Sequence, residues 1–224
     1  MYQVSKTAGA PLPADPDERA MQAINALAIQ PLTPETVYRF SVRACDDQVD
    51  RDGERFTADC LRALAPMYIG KTIIMDHSWS ATNQIARVYN AEVVQDGAVT
   101  YLRADAYLPR TESTQPIIDK LAAGILREVS VGCSVNRATC SICGLPYGSC
   151  DHRRGERYGE SLCVVELSEP TDAYEISFVA VPAQPAAGVI KAVSNRKPMS
   201  TNALDACKRA IEIEKIRFTE VINV

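Results

Sequence analysis

The sequence predicts a mainly β fold with flanking helices, an α+β chain built around a β-barrel or strongly bent sheet. Three observations lead there. Segments that alternate apolar and polar residues recur from Val37 onward. Helical spacing is confined to three short stretches and an ambiguous tail. The 224 residues, 46% apolar and 23% charged, suffice for one good core with short appendages.

The elements follow in chain order. Residues 8–16 are rich in Ala and Pro and read as an arm. Asp15-Pro16 reads as an N-cap with proline at the first helical position, and Met21, Ile24, Leu27 and Ala28 continue with helical spacing until Pro31 and Pro34. Residues 37–45 alternate as a strand, with Val37, Arg39, Ser41 and Arg43 against Tyr38, Phe40, Val42 and Ala44. Asp50-Arg51-Asp52-Gly53 reads as a solvated turn, because a calcium loop needs an acidic ligand where Gln48 stands. Thr57 caps a short helix through Leu64 that stops near Pro66. Residues 71–76 form a short apolar strand ending at His77. Strands at 83–94 and 98–108 join through a turn at Gln95-Asp96-Gly97, and Thr114-Gln115-Pro116 opens a helix that Gly124 closes. A serine strand at 127–133, a strand at 162–167 and a glutamate strand at 174–183 follow. Residues 202–222 suit a helix by their Ala, Glu, Lys and Arg content, although Ile211, Ile213, Ile216 and Phe218 also alternate like a strand.

Charge and cysteine content narrow the function classes. A net charge of −4 and a pI near 5.3 argue against a general nucleic-acid binder. No run approaches the length of a membrane span, and the start lacks the apolar segment of a signal peptide. Eight cysteines without such a signal point to a reducing compartment, with some thiols on metal and the rest buried. Cys140-x2-Cys143-x6-Cys150-x-His152 brings three thiolates and one imidazole together, the donor set of a closed structural zinc site. An all-thiolate site with Cys163 in place of His152 is the variant. Arg137, Arg153, Arg154 and Arg157 flank this knot and suit either a zinc-knuckle nucleic-acid adaptor or the neutralisation of a net-negative site.

The chain has two histidines, so with His152 on metal only His77 remains for acid–base chemistry. On the serine strand Glu128, Ser130, Gly132 and Ser134 share one face, opposite Val129, Val131, Cys133 and Val135, which read as core. On the later strand Tyr174, Ile176, Phe178 and Ala180 read as the apolar set, with Glu175 and Ser177 opposite. Ser130 and Glu175 meet on one face if their strands are neighbours. A lone base, a polar serine beside a glycine and a later carboxylate suggest a serine hydrolase.

These residues carry a resemblance. Val49-Asp50-Arg51-Asp52-Gly53-Glu54-Arg55-Phe56, Gly70-Lys71-Thr72 with Asp76-His77-Ser78-Trp79, Glu128-Val129-Ser130-Val131-Gly132-Cys133, and Tyr174-Glu175-Ile176-Ser177-Phe178-Val179-Ala180-Val181-Pro182-Ala183-Gln184 resemble the prohead (capsid maturation) proteases of tailed bacteriophages. The cysteine insertion resembles a zinc-bearing branch of that family. The resemblance covers residues 34–191. It implies a fold related to the herpesvirus assembly proteases, a closed β-barrel of about seven strands with helices around it. It also implies a serine peptidase with Ser130 as nucleophile, His77 as base and a carboxylate at Glu175 as third member; Asp76 and Glu128 stay open for that role. The sequence does not locate the oxyanion donors.

The implied organisation is an arm and short helix at 1–33, a protease barrel at 34–192 with a zinc-knuckle insertion at 138–157, and a linker with a helical C-terminal segment at 193–224. The implied cofactor is structural Zn²⁺ on Cys140, Cys143, Cys150 and His152. The implied substrates are the scaffold protein or the scaffold-like segment of the major capsid protein, and the protease itself, inside the assembling procapsid in the host cytoplasm. A homo-oligomer is compatible with these features and not required by them. The rival readings are a non-catalytic assembly protein that keeps the protease fold and a zinc-knuckle nucleic-acid adaptor.

Overall fold

A computed structural model of the chain describes residues 16–193, and the expected C-terminal segment at 193–224 falls almost wholly outside them. In chain order the elements are α1 (Pro16–Leu27), β1 (Val37–Asp46), β2 (Glu54–Phe56), α2 (Ala58–Tyr68), β3 (Thr72–Met75), β4 (Ala86–Asp96), β5 (Val99–Pro109), α3 (Gln115–Ala122), β6 (Val129–Cys140), β7 (Arg157–Tyr158), β8 (Ser161–Leu162), β9 (Val165–Phe178) and β10 (Gly188–Val193). The fold is mainly β with helices around it.

Eight strands form one sheet in the order β10-β1-β5-β4-β3-β9-β2, with β6 added on β9, while β7 and β8 form a separate ribbon. β9 organises the site. Its one side pairs antiparallel with β6 along nearly its whole length. Its other side pairs in parallel with β2 near its start and β3 near its end. Just ahead of β6, Glu128 bridges Gly188 at the start of β10, Val189 N–H donates to Arg127 O at 2.8 Å, and Val129 N–H donates to Ala187 O at 3.4 Å.

The core lies inside the bent sheet and is capped by α2. Phe40, Val42, Leu102, Ala104, Ile73, Ile176 and Phe178 meet Leu61, Leu64 and Tyr68 there. Full burial of each large side chain stabilises by about 1.5–3 kcal/mol. A second, smaller cluster joins Met21 and Ile24 of α1 to Val37 and Tyr107. This explains why the polar face of β1 is not at the surface. Arg39 and Ser41 are buried beneath α1, and Arg39 pairs with Asp17 of that helix at 2.8 Å.

Several expected boundaries move, each for a physical reason. α2 runs through Pro66 to Tyr68, because burying Leu64, Ala65 and Tyr68 outweighs the backbone bond that proline forgoes. Thr57 caps it as expected, accepting from Cys60 N–H at 3.2 Å. The strand expected at 83–94 starts at Ala86, after a 3-10 turn at Ala81–Asn83. The strand expected at 162–167 is instead the start of β9, which continues unbroken into the glutamate segment. Tyr174 and Ala180 are exposed rather than in the core. Opposite Gly132 stands Glu175, but opposite Cys133 stands Ala173, so Tyr174 is the extra residue of a β-bulge. Ala173 fills the core position instead.

Candidate functional site

The site is assembled by pairing β9 with β6 on one side and β3 on the other. Gly132 and Ser130 lie opposite Glu175 and Ser177 across the β6–β9 ladder, while Thr72 and Ile74 face the same two β9 residues from β3. Ser130 and Glu175 are thus on neighbouring strands, despite the long insertion that separates them in sequence. The insertion is the loop after β6, which leaves the sheet and returns as β9.

His77 sits directly after β3 on a strained turn. Asp76 and His77 both have left-handed backbone, with φ of 52° and 51°. Non-glycine residues adopt this conformation at a cost, and it concentrates at functional sites. The turn is pinned from several directions. Asp76 N–H donates to Phe178 O at 2.9 Å, and Asn83 Nδ2 donates to Met75 O at 2.9 Å and Ser78 O at 3.0 Å. His77 N–H donates to Ser177 Oγ at 3.1 Å.

His77 Nδ1 lies 2.8 Å from Glu175 Oε1. The second carboxylate oxygen, Oε2, accepts from Ser177 Oγ at 2.6 Å. With the carboxylate ionised it can only accept, so in a neutral ring Nδ1 carries the proton and Nε2 keeps its lone pair. Glu175 is 3% exposed although it stands on the polar face of its strand, because the His77 turn closes over it. The His77 ring itself remains 43% exposed. Asp76, the other acid beside the histidine, is exposed at the surface of the turn.

Gly132 makes room for this carboxylate. A Cβ there would lie 2.5 Å from Glu175 Oε1. On the far side, Tyr68 hydroxyl donates to Gly132 O at 3.2 Å and fixes the strand.

His77, Ser130 and Glu175 line one cleft of about 570 Å³, together with Cys133, Trp79 and the Asp50–Glu54 turn. Among the described residues, Ser130 Oγ has no hydrogen-bond partner, whereas Ser134 Oγ is taken by Thr171 at 2.6 Å. Cys133 offers a rival nucleophile in the cleft. Burial pushes its thiol up to about 11, with the nearby Tyr68 hydroxyl opposing the effect and Glu175 adding to it. The Asp50–Glu54 turn is tied down by Asp50 Oδ1, which accepts from Asp52 and Glu54 N–H, and by Arg51 N–H to Ala183 O at 3.0 Å.

The second cluster lies in the loop between β6 and β9. One donor atom each from Cys140, Cys143, Cys150 and His152 falls within 4.8 Å of the others, so the cluster can hold a metal ion. Its donors need close only slightly, since ligands on a tetrahedral zinc with bonds of 2.0–2.3 Å stand about 3.3–3.8 Å apart. His152 Nδ1 is buried without a hydrogen-bond partner, as a ligand nitrogen would be. Burial works to raise the Cys140 thiol, but hydrogen bonds from Cys143 and Ile142 N–H and from neighbouring thiols hold it at about 6. Cys163 is wholly buried, with its Sγ 3.8 Å from Cys140 Sγ. The cluster therefore has a fifth donor at its edge.

The knot is braced against the cleft. Arg154 pairs with Glu54, and Val165 N–H donates to Gly53 O at 3.0 Å. Arg137 pairs with Glu169 at 2.8 Å.

No family model, curated protein or solved structure matches the chain. The site rests on its own geometry. Sequence reasoning named His77, Ser130 and Glu175, and missed the roles of Ser177, Gly132 and Asn83. Ser177 was within reach, since it lies two residues after Glu175 on the same face.

Proposed function

We propose that the chain is a serine endopeptidase of the prohead, capsid-maturation type. Its substrates are scaffold, or the scaffold-like segment of a major capsid protein, and the chain itself. The observation that carries the reading is the contact of His77 Nδ1 with the buried Glu175 carboxylate, in a cleft shared with the unpartnered Ser130 hydroxyl. The hydrogen bond fixes the tautomer that leaves Nε2 free to act as base and favours the imidazolium that forms during reaction. Ser177 Oγ donates to the carboxylate and accepts from the His77 N–H.

The chemistry is acyl transfer. His77 Nε2 takes the proton of Ser130 Oγ as the oxygen attacks a peptide carbonyl, then gives it to the leaving amine. Water repeats the sequence on the acyl-enzyme. Catalytic hydrogen bonds are often loose in a free enzyme and tighten with substrate, which accords with the unbonded Ser130 hydroxyl. The Cys140, Cys143, Cys150 and His152 cluster holds one zinc ion, whose part is structural because four protein donors fill its coordination. The contact of Glu128 with Gly188 brings the two ends of the strand series together and supports a closed seven-strand barrel of β1, β5, β4, β3, β9, β6 and β10. The expected setting is the procapsid interior in the host cytoplasm. The nucleic-acid reading draws little support, since Arg137 and Arg154 are engaged by carboxylates.

The test is fluorophosphonate labelling, paired with mass spectrometry of capsid protein co-expressed with the chain. The wild type should be labelled at Ser130 and should process both capsid protein and itself. Ser130→Ala should do neither while staying folded, a loss on the order of 10⁴–10⁶ in rate. His77→Ala should be equally inactive, and the double variant no worse, because the pair acts as one unit. Processing by Ser130→Ala would overturn the assignment. A folded wild type that neither labels nor processes would leave the non-catalytic assembly protein.

A further inference from the structure

Trp79 and Tyr174 are exposed aromatic residues beside the His77 turn. Trp79 is 70% exposed and Tyr174 39%. Their ring centroids are 5.4 Å apart with planes tilted by 56°, the arrangement of a packed aromatic pair. Both are placed by features of the site itself. Trp79 rides on the turn that carries His77, two residues further on. Tyr174 is the bulged residue of β9, turned out of the core next to Glu175. Together with Glu175 they form the wall between the cleft and a second slot of about 410 Å³, which Thr72, Ile74 and Ala81 also line.

We infer that this slot is a substrate subsite that takes a large apolar side chain, aromatic by preference, from the peptide held in the cleft. The inference deepens the peptidase reading and rests on it. Continuity with the cleft sets the occupant, since one wall serves both cavities. Charge sets the class of side chain. The cation at the slot, Lys71, is paired with Asp172 at 3.2 Å and offers little to an acidic residue. The carboxylate in its wall, Glu175, is buried and engaged by His77 and Ser177, and offers little to a basic one. The other polar side chains of the lining are engaged as well, Thr72 by Ala86 O, Ser80 by Thr82 and Gln84 Oε1 by Arg87, which leaves ring surface and aliphatic wall. Exposed tryptophan and tyrosine in such a place are typical anchors for a binding partner.

The chain contains a single tryptophan, so its emission reports the wall that the slot shares with the cleft. The experiment titrates full-length Ser130→Ala protein with the N-acetyl amides of Phe, Leu, Ala, Lys and Asp, exciting where tyrosine is silent. The Phe and Leu amides should change the emission saturably, with half-saturation at least about ten-fold below that of Ala. Tyr174→Ala should weaken the Phe amide about ten-fold without moving the unfolding midpoint. In the active chain, Trp79→Ala should raise KM about ten-fold or more for a substrate with Phe at the selected position, with far less change in kcat, and Trp79→Phe should restore most of the loss. Equal affinity for all five amides, a preference for Lys or Asp, or no saturable response would overturn the subsite. Failure of the peptidase reading looks different: wild-type protein would escape fluorophosphonate while the emission response survived.

Discussion

A missing methyl group at position 132 makes room for the Glu175 carboxylate. Alanine in an ordinary strand interior is at least as stable as glycine. Here its Cβ would lie 2.5 Å from Glu175 Oε1 and force the carboxylate off His77. Gly132→Ala should therefore keep the fold and lose turnover. Glu175→Gln removes the charge but keeps the shape, and should cost about 10²–10⁴ in kcat. Gly132→Ala should fall in the same range, and adding Glu175→Gln to it should cost little more, as peptide-cleavage kinetics and thermal unfolding can check. Cys133 provides a second test at this scale. Its thiol, pushed up to about 11, is almost wholly protonated near neutral pH, and reactive thiolate appears only as the pH climbs toward that value. Iodoacetamide near neutral pH should leave Cys133 unmodified and activity intact, which peptide mapping will show, whereas fluorophosphonate should inactivate. Ser130, His77 and Glu175 could be named from the sequence because motif order and strand parity placed them. Tyr174 could not, because the bulge takes it out of step with Ile176 and Phe178 and gives its core position to Ala173.

At the scale of elements, the loop between β6 and β9 matters most. Few of its residues reach the core, and its rigidity rests on the cysteine cluster and on ties such as Arg154–Glu54. The ligand spacing was legible because Cys-x2-Cys and Cys-x-His are local patterns. Cys163 could be offered from the sequence only as an alternative to His152; that both stand at the cluster follows from tertiary folding, which brings Cys163 next to Cys140. Purified protein should carry one zinc per chain by mass spectrometry of metal content. Removing it should increase hydrogen exchange over residues 141–164 and lower the melting temperature by at least about 5 °C, as a loss of a few kcal/mol does in a chain of this size. Cys163→Ser should retain zinc to within about ten-fold in affinity, while His152→Ala should lose more than that, because the buried His152 Nδ1 faces the cluster without another partner. The reverse ranking would establish the all-thiolate set. β9 was read from sequence as two strands because its middle, from Ser168 to Asp172, is polar. Continuous pairing with β6 carries the strand through that stretch regardless.

For the whole molecule, closure of the sheet decides the architecture. Alternation and turn residues made the strands legible, but closure depends on contacts between residues 127–129 and 187–189, which no local pattern announces. The join is narrow: one bridge, Glu128 with Gly188, and the bonds Val189 N–H to Arg127 O and Val129 N–H to Ala187 O. It also lies one residue from Ser130, so its integrity bears on the site. The backbones approach closely at Gly188, where a Cβ would meet Arg127 O at 3.0 Å. In a closed ring the Val129 and Val189 amides open only with global unfolding and exchange as slowly as the amides of Ile176 and Phe178. At a frayed edge they exchange by local opening, orders of magnitude faster. Native-state hydrogen exchange, read amide by amide, should find Val129 and Val189 in the slow class. Gly188→Val should move both to the fast class and lower turnover, because the seam that parts is continuous with the strand carrying Ser130. Slow exchange that survives Gly188→Val, with turnover unchanged, would mean that the seam does not hold the site together.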